Sequence, residues 1–251
     1  MNYGALAPLY DRIMAHVGYH QWFSLVNHVA ATFGGLGQRA AIFELGAGTG
    51  VLGQQCADAG FTYIGSDLSI SMCRQAARQR RLPFICADAK HLPLKTDVRF
   101  DMILFLFDGI NYLMTAADYG RVFSEVHAHL RAGGLFLFDI TTVFNSTKNF
   151  NEYVDADDLG DSFYFRHSYY DAACSIQHND FTIFHRTAAL SQLFEKSLEK
   201  HCQNVFSVSE IRESVPDSLF EVLGIWDNFS LKRHHSRSER VHFLLRKRGA
   251  A

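Results

Sequence analysis

Three glycines at alternate positions, directly after an apolar strand and directly before a helix, constrain this chain more than any other feature. The stretch reads Ile42-Phe43-Glu44-Leu45-Gly46-Ala47-Gly48-Thr49-Gly50. Glycine reaches backbone angles that other residues avoid, and it lets a ligand lie against the main chain. Strand, glycine loop and helix in that order open a doubly wound sheet, whose ligands sit beyond the carboxyl ends of the strands. An acid follows 23 residues after Glu44, at Asp67, where a second strand ends. Such folds hold ribose hydroxyls from that place. The spacing differs from that of nicotinamide and flavin folds, which want a glycine where this chain has Val51. Glu44 beside the loop repels phosphate and suits a ligand that carries an ammonium group.

The surrounding sequence alternates strand and helix. Apolar runs at residues 40–45, 62–65, 83–86, 102–107 and 135–140 predict five strands. Helical spacing predicts helices over 51–59, 69–80 and 119–130, the last with the stripe Tyr119, Phe123, Val126 and Leu130. This rhythm means a mostly parallel sheet with helices on both faces. Residues 5–34 read as two helices that precede it, separated by Gly18. Residues 141–205 break the rhythm, with two strands around Asp171-Ala172-Ala173. Leu190, Phe194, Leu198 and Cys202 lie four apart, which favours a helix, whereas a strand puts Glu199 and His201 on one face. The tail predicts a helix at 208–214 and strands at 220–225 and 241–245.

Composition narrows the classes. Hydrophobic residues are 48% and charged residues 20%, so the chain builds a core. A net charge of −2 gives no general attraction to nucleic acid or to a membrane surface. The longest fully apolar run, residues 102–107, is far below the roughly 20 residues that span a bilayer. The opening Met1-Asn2-Tyr3-Gly4 has no secretory pattern, and five scattered cysteines fit a reducing cytoplasm. Among 13 histidines, His127 and His129 are two apart and His234-His235 are adjacent, so neither pair has zinc-protease spacing and no metal is expected. The basic run Lys232, Arg233, Arg237 and Arg240 reads as a solvated loop. Twenty-two phenylalanines read first as a bulky core.

At this point the chain resembles a known family. Glu44 to Gly50 is similar to the first motif of class I S-adenosylmethionine-dependent methyltransferases, and Asp67 matches the ribose-binding acid of the second. Cys86-Ala87-Asp88-Ala89, with Leu92-Pro93-Leu94, resembles the third, and Phe100-Asp101-Met102-Ile103-Leu104 resembles the strand beside the transfer site. Tyr10-Asp11 with Tyr19 and Trp22, Asp108-Gly109-Ile110-Asn111-Tyr112-Leu113, and Ser238-Glu239-Arg240-Val241-His242-Phe243 resemble a bacterial subgroup that acts on small molecules. That subgroup carries an antiparallel insertion after the fifth strand, which selects the strand reading of residues 190–202.

The resemblance implies an α/β, Rossmann-like, mostly parallel seven-stranded sheet whose last strand is antiparallel. It divides the chain into an N-terminal helical cap (1–36), a cofactor-binding core (37–140), an insertion over the active site (141–205) and a C-terminal part completing the sheet (206–251). The implied cofactor is S-adenosyl-L-methionine. Its expected contacts are Glu44 (ammonium), Gly46, Ala47, Gly48, Gly50, Asp67 (ribose), Leu68, Asp88 (adenine), Ala89 and Leu106, with Tyr10 and Trp22 closing over it. Methyl transfer is a one-step displacement that needs alignment and no metal. Asp108 and Tyr112 are the catalytic candidates, and Asn111, Tyr169, Tyr170, Glu199 and His201 the acceptor contacts. The expected partner is a small-molecule acceptor, with neither nucleic acid nor membrane, for a monomer or weak dimer. The alternatives are an RNA or protein methyltransferase, and a non-catalytic protein that binds the cofactor.

Overall fold

The computed structural model describes residues 3–188 and 192–249. Met1, Asn2 and Leu190, used in the reading above, lie outside the described residues. The chain runs α1 (Tyr10–Ile13), α2 (Tyr19–Gly34), β1 (Ala41–Glu44), α3 (Val51–Asp58), β2 (Thr62–Asp67), α4 (Ile70–Arg80), β3 (Phe84–Cys86) and β4 (Phe100–Phe105). It continues with α5 (Ala116–His129), β5 (Leu130–Thr141), α6 (Val143–Lys148), β6 (Tyr153–Asp158), β7 (Ser162–Asp171), β8 (Ile176–Arg186) and β9 (Phe194–Asn204). It ends with α7 (Val208–Ser214), β10 (Phe220–Asp227), β11 (Lys232–Arg233) and β12 (Arg240–Lys247).

The main sheet has the order β3-β2-β1-β4-β5-β12-β10-β11. Neighbours from β3 to β5 pair in parallel, and β12 is antiparallel to both β5 and β10. The seven expected strands are present, with the two-residue β11 added at the edge. Strand alternation explains how the sheet is covered on both sides. Phe43, Ile103, Phe136, Phe138 and Phe243 face α5 and α7, while Ile42, Met102, Leu104, Leu137 and Leu244 face α2 and α3. The abundant phenylalanine thus fills one core layer, where the rings of Phe138 and Phe243 stack 4.9 Å apart at 6°. Local chemistry starts the helices: Ser69 caps α4, Thr115 caps α5, and Ser207 with Glu210 forms a capping box on α7.

Between α6 and α7, strands β6 to β9 form a second, four-stranded antiparallel sheet in the order β6-β7-β8-β9. The segment with helical spacing is the strand β9. Eleven aligned pairs with β8 outweigh the local preference. The first residues of the chain seat on this sheet. Leu6 and Leu9 pack with Tyr164, Phe181 and Ile183, so the segment before α2 bridges the insertion and the main sheet.

Because β12 lies between β5 and β10, its core side chains tie the C-terminal part to the parallel half. Replacing Phe243 by alanine removes a fully buried ring and leaves a cavity, at a cost of about 3–5 kcal/mol. Urea unfolding should show a lower midpoint with an unchanged slope. A shift corresponding to less than about 1 kcal/mol would mean that the core closes around the loss.

Candidate active site

All three loop glycines adopt left-handed backbone angles, with φ of +60° at Gly46, +56° at Gly48 and +79° at Gly50. A Cβ at Gly46 would stand 3.0 Å from the Phe105 ring. The loop turns the chain from β1 into α3 beside the end of β2. There the Asp67 carboxylate accepts the Gly48 N–H at 2.9 Å and the Ser69 N–H at 2.8 Å. Burial pushes the Asp67 pKa up, and these two N–H groups oppose that.

Glu44, at the end of β1, is 3% exposed. Its Oε2 accepts the Tyr63 hydroxyl, and among the described residues Oε1 has no hydrogen-bond donor. Burial raises its pKa to about 7, the Tyr63 bond works against the rise, and the Asp67 charge adds to it. Leu68, next in line after Asp67, is 69% exposed and offers an apolar face at the strand end. Asp88 follows β3 and accepts the Lys90 N–H at 2.9 Å. Ala89 packs against the core.

The cleft over the loop is lined by Tyr10, Tyr19, Glu44, Gly46, Ala47, Gly48, Thr49, Leu52 and Phe107. Its outer wall is the N-terminal segment. Asp11 accepts the Thr49 hydroxyl and pairs with Arg80 at 2.6 Å, which holds Tyr10 above Gly48. The far wall is Phe107, which stacks on Trp22 at 4.0 Å and lies 5.0 Å from Tyr19. Trp22 is 4% exposed and stands behind Phe107 in the core, so it backs the wall and does not close over the cleft. The Leu106 side chain is likewise in the core.

Phe107 and Asp108 both have positive φ, at +60° and +50°, directly before Gly109. Consecutive left-handed residues with side chains cost on the order of 1–3 kcal/mol each and persist where surroundings enforce them. The enforcement is visible. Asp108 Oδ1 pairs with Arg240 Nη2 at 2.9 Å, Oδ2 accepts from Gln203 Nε2 at 2.5 Å, and the Asp108 N–H donates to Asp139 at 3.0 Å. Arg240 also pairs with Asp139 and lies over the Trp22 ring at 5.1 Å. Burial raises the Asp139 pKa to about 6, with the Arg240 charge opposing. The expectation of Asp108 as a base is therefore corrected: both its oxygens are engaged in holding the turn. Asn111 is corrected too. It is fully buried, donates to the Asn204 carbonyl at 2.8 Å and accepts the Thr141 N–H at 3.1 Å, so it clamps the insertion to β5.

The turn continues to Tyr112, which meets the inner face of the insertion. Its hydroxyl is 3.3 Å from His201 Nδ1 and 2.7 Å from the Tyr3 hydroxyl. His201 Nε2 lies 3.4 Å from Glu199 Oε2. Glu199 Oε1 accepts the N–H groups of Ala5 and Leu6. Burial alone would raise the Glu199 pKa, but His201 and those two N–H groups lower it overall. Burial pushes the Tyr112 pKa well up, so it remains a neutral hydroxyl. Of the two tyrosines expected here, Tyr170 shares this inner face, in one row with Gln177 and Gln203. Tyr169 is corrected. Alternation turns it to the outer face, where it stacks on His178 at 4.5 Å.

Tyr3, Tyr19, Thr49, Leu52, Phe107 and Gln203 belong to this region and were not singled out from the sequence as site residues. Tyr19 and Thr49 stood inside quoted motifs, and Phe107 ended the longest apolar run. Nothing local marked Tyr3 or Gln203.

The architecture and the loop define a class: an α/β enzyme fold whose ligand lies over a glycine loop between two acids. The methyltransferase domain family matches residues 42–134. A putative methyltransferase, YqeM, of Bacillus subtilis (strain 168) is 26% identical over 98% of both chains. The crystal structure of an S-adenosylmethionine-dependent methyltransferase from Clostridium acetobutylicum ATCC 824 superposes with TM-score 0.80 at 24% identity, covering 98% of this chain and 99% of that one. The sugar N-methyltransferase KedS8 of Streptoalloteichus sp. ATCC 53650 shares the fold with TM-score 0.77 at 16% identity, over 96% and 92% of the two chains. Residues 42–134 thus carry a methyltransferase domain, and these likenesses support a class I S-adenosylmethionine-dependent methyltransferase. Its residues fit that cofactor: Glu44 presents a carboxylate oxygen that lacks a donor among the described residues, and Leu68 presents exposed apolar surface beside Asp67.

The raised Glu44 pKa has a consequence for stability. A carboxyl whose pKa is higher in the folded state stabilises fully below its unfolded value and loses that contribution as pH rises through the folded value. For Glu44 the window runs from about 4.5 to about 7. The cofactor-free Glu44→Gln variant should lose less stability than wild type between those limits. Denaturant titrations at pH 5 and pH 8 measure it, and parallel losses in both proteins would remove Glu44 as the cause.

Proposed function

We propose that the protein transfers the methyl group of S-adenosylmethionine to a small polar acceptor held between the 108–112 turn and the inner face of the insertion. The observation that carries this reading is the buried row Tyr112–His201–Glu199, set against the same turn whose Phe107 lines the cofactor cleft. When bound, the cofactor supplies an electrophilic methyl carbon on a cationic sulfur. The chain's residues then bind, orient and deprotonate. Gly46, Ala47, Gly48 and Gly50 give backbone approach, Glu44 takes the ammonium group, and Asp67 takes the ribose hydroxyls. Leu68, Ala89 and Asp88 flank the adenine, and Tyr10 covers the cofactor with a face that attracts cations.

On the acceptor side, a hydroxyl must release its proton as its oxygen bonds to carbon, and an ammonium group must lose one beforehand to free the nitrogen lone pair. Imidazole is the side chain that exchanges protons near neutral pH. The Nδ1 of His201 meets the Tyr112 hydroxyl, and its Nε2 faces Glu199 Oε2 at 3.4 Å without a hydrogen bond, which leaves that nitrogen to take a proton. Tyr112 acts as a neutral hydrogen-bonding relay, and Tyr170 and Gln203 line the same face. The insertion as a lid excludes water and strengthens these contacts. Polar side chains grouped on the inner face of the insertion suit a small molecule, in keeping with the likeness to a sugar N-methyltransferase. Arg240, the last of the basic run, is paired with two carboxylates, and Lys232 and Arg233 lie at the edge of the main sheet. This arrangement argues against an RNA track. Five free cysteines accord with a cytoplasmic setting.

Labelled S-adenosylmethionine, incubated with fractions of a bacterial extract, tests the acceptor class. Label should enter the small-molecule fraction. Label confined to RNA or protein, or none at all with the cofactor bound, would support one of the rival readings. Asp67→Ala should weaken S-adenosylhomocysteine binding at least about tenfold in a folded protein, because two charge-assisted hydrogen bonds are lost. Calorimetry reads this directly, and unchanged affinity would place the ribose elsewhere. His201→Asn should lower turnover on an identified acceptor by about 10²–10⁴ while leaving cofactor affinity intact. Equal turnover would remove His201 from the proton path.

A further inference from the structure

The outer face of the insertion sheet carries a group of exposed apolar side chains that the proposed activity does not use. Val154 is 54% exposed, Phe163 38%, Phe165 39% and Leu198 64%, all on that one face. Such a surface on a folded domain marks an interaction site. Cross-strand registry arranges it in rows across the four strands. One row reads Asp158–Phe163–Phe184–Lys196 and the next Ala156–Phe165–Thr182–Leu198. The third reads Val154–His167–Asp180–Lys200. Acid stands at the β6 end of the first row and lysine at its β9 end. Lys196 has no partner among the described residues, and only Oδ1 of Asp158 is engaged, by the Gly160 N–H at 2.7 Å.

The first two rows are complementary to themselves when read in reverse. A two-fold axis parallel to the strands lays β9 of one copy over β6 of the other and keeps each row at its own level. Lys196 then meets Asp158, Phe184 meets Phe163 and Leu198 meets Ala156; in the third row Val154 meets Lys200, and Asp180 and His167 keep their partners Lys200 and Glu152 within one copy. An axis across the strands would instead set β9 over β9, with lysines facing lysines. We propose that the protein forms a homodimer by stacking the outer faces of two insertion sheets about a two-fold axis parallel to their strands. An isologous interface of this kind is the commonest way for identical chains to pair, and aligned sheets pack about 10 Å apart at about 30°.

Size supports a stable but modest contact. Strands of about ten residues in a four-stranded sheet cover about 600 Å² in projection, against about 800 Å² per partner for a standard interface. The catalytic cleft stays open, because the active-site groups lie on the inner face. Each lid is braced from outside by the lid of the other copy.

Sedimentation velocity of the full chain from 1 to 100 µM tests the proposal. Wild type should be a dimer at the upper end, and Leu198→Asp should weaken dimerisation at least tenfold. Lys196→Glu and Asp158→Lys should each weaken it, and the double variant should recover most of the loss. S-adenosylhomocysteine affinity, unchanged in all variants, verifies that they are folded. A wild-type monomer at 100 µM overturns the proposal. So does a dimer indifferent to Leu198→Asp, or a Lys196→Glu variant that dimerises more tightly, as the crosswise axis requires.

Discussion

Arg240 stands between two carboxylates, Asp108 and Asp139, and much of the site depends on that arrangement. Asp139 is fully buried on β5, Arg240 opens β12, and Asp108 leaves β4. The guanidinium therefore fastens three neighbouring strands at their ligand end. It also opposes the rise in the Asp139 pKa that burial causes. Removing one partner of such a network costs far more than the pair contributes, because a buried charge is left alone. Gln203 extends the connection to the insertion by donating to the free oxygen of Asp108.

The strained turn explains why the connection matters. Left-handed geometry at Phe107 and Asp108 turns the Phe107 ring back over the glycine loop and sends the chain on toward Tyr112. One turn thus supplies a wall of the cleft over the glycine loop and reaches the inner face of the insertion. The N-terminal segment repeats the pattern from the other side. Tyr10 and Asp11 meet the glycine loop, while Tyr3, Ala5 and Leu6 meet Tyr112 and Glu199. Two segments far apart in sequence each touch both halves of the site.

What the sequence discloses follows the range of the interactions. The glycine loop, Glu44 and Asp67 are legible because strand, turn and helix signals lie side by side. The parallel core is legible because its strands are buried on both faces and read as unbroken apolar runs. Asp108 is misread because its partners, Gln203 and Arg240, lie 95 and 132 residues away. Asn111 is misread for the same reason, through Asn204. Tyr3 escapes notice because its hydroxyl partner is 109 residues on. The adjacent pair Tyr169-Tyr170 shows the opposite limit: alternation along a strand sends one inward and the other outward, and sequence alone does not say which. In β9, four-residue spacing imitates a helix, and the pairing with β8 decides otherwise.

Hydrogen–deuterium exchange with and without S-adenosylhomocysteine tests the central claim, that the cofactor cleft and the acceptor wall are one mechanical unit joined through the 107–112 turn. The account predicts that ligand slows exchange in the glycine loop and at Asp67–Ser69, and also in the 107–112 turn and in β9 around Gln203. Slowing confined to the loop, with the turn and β9 unchanged, would contradict it.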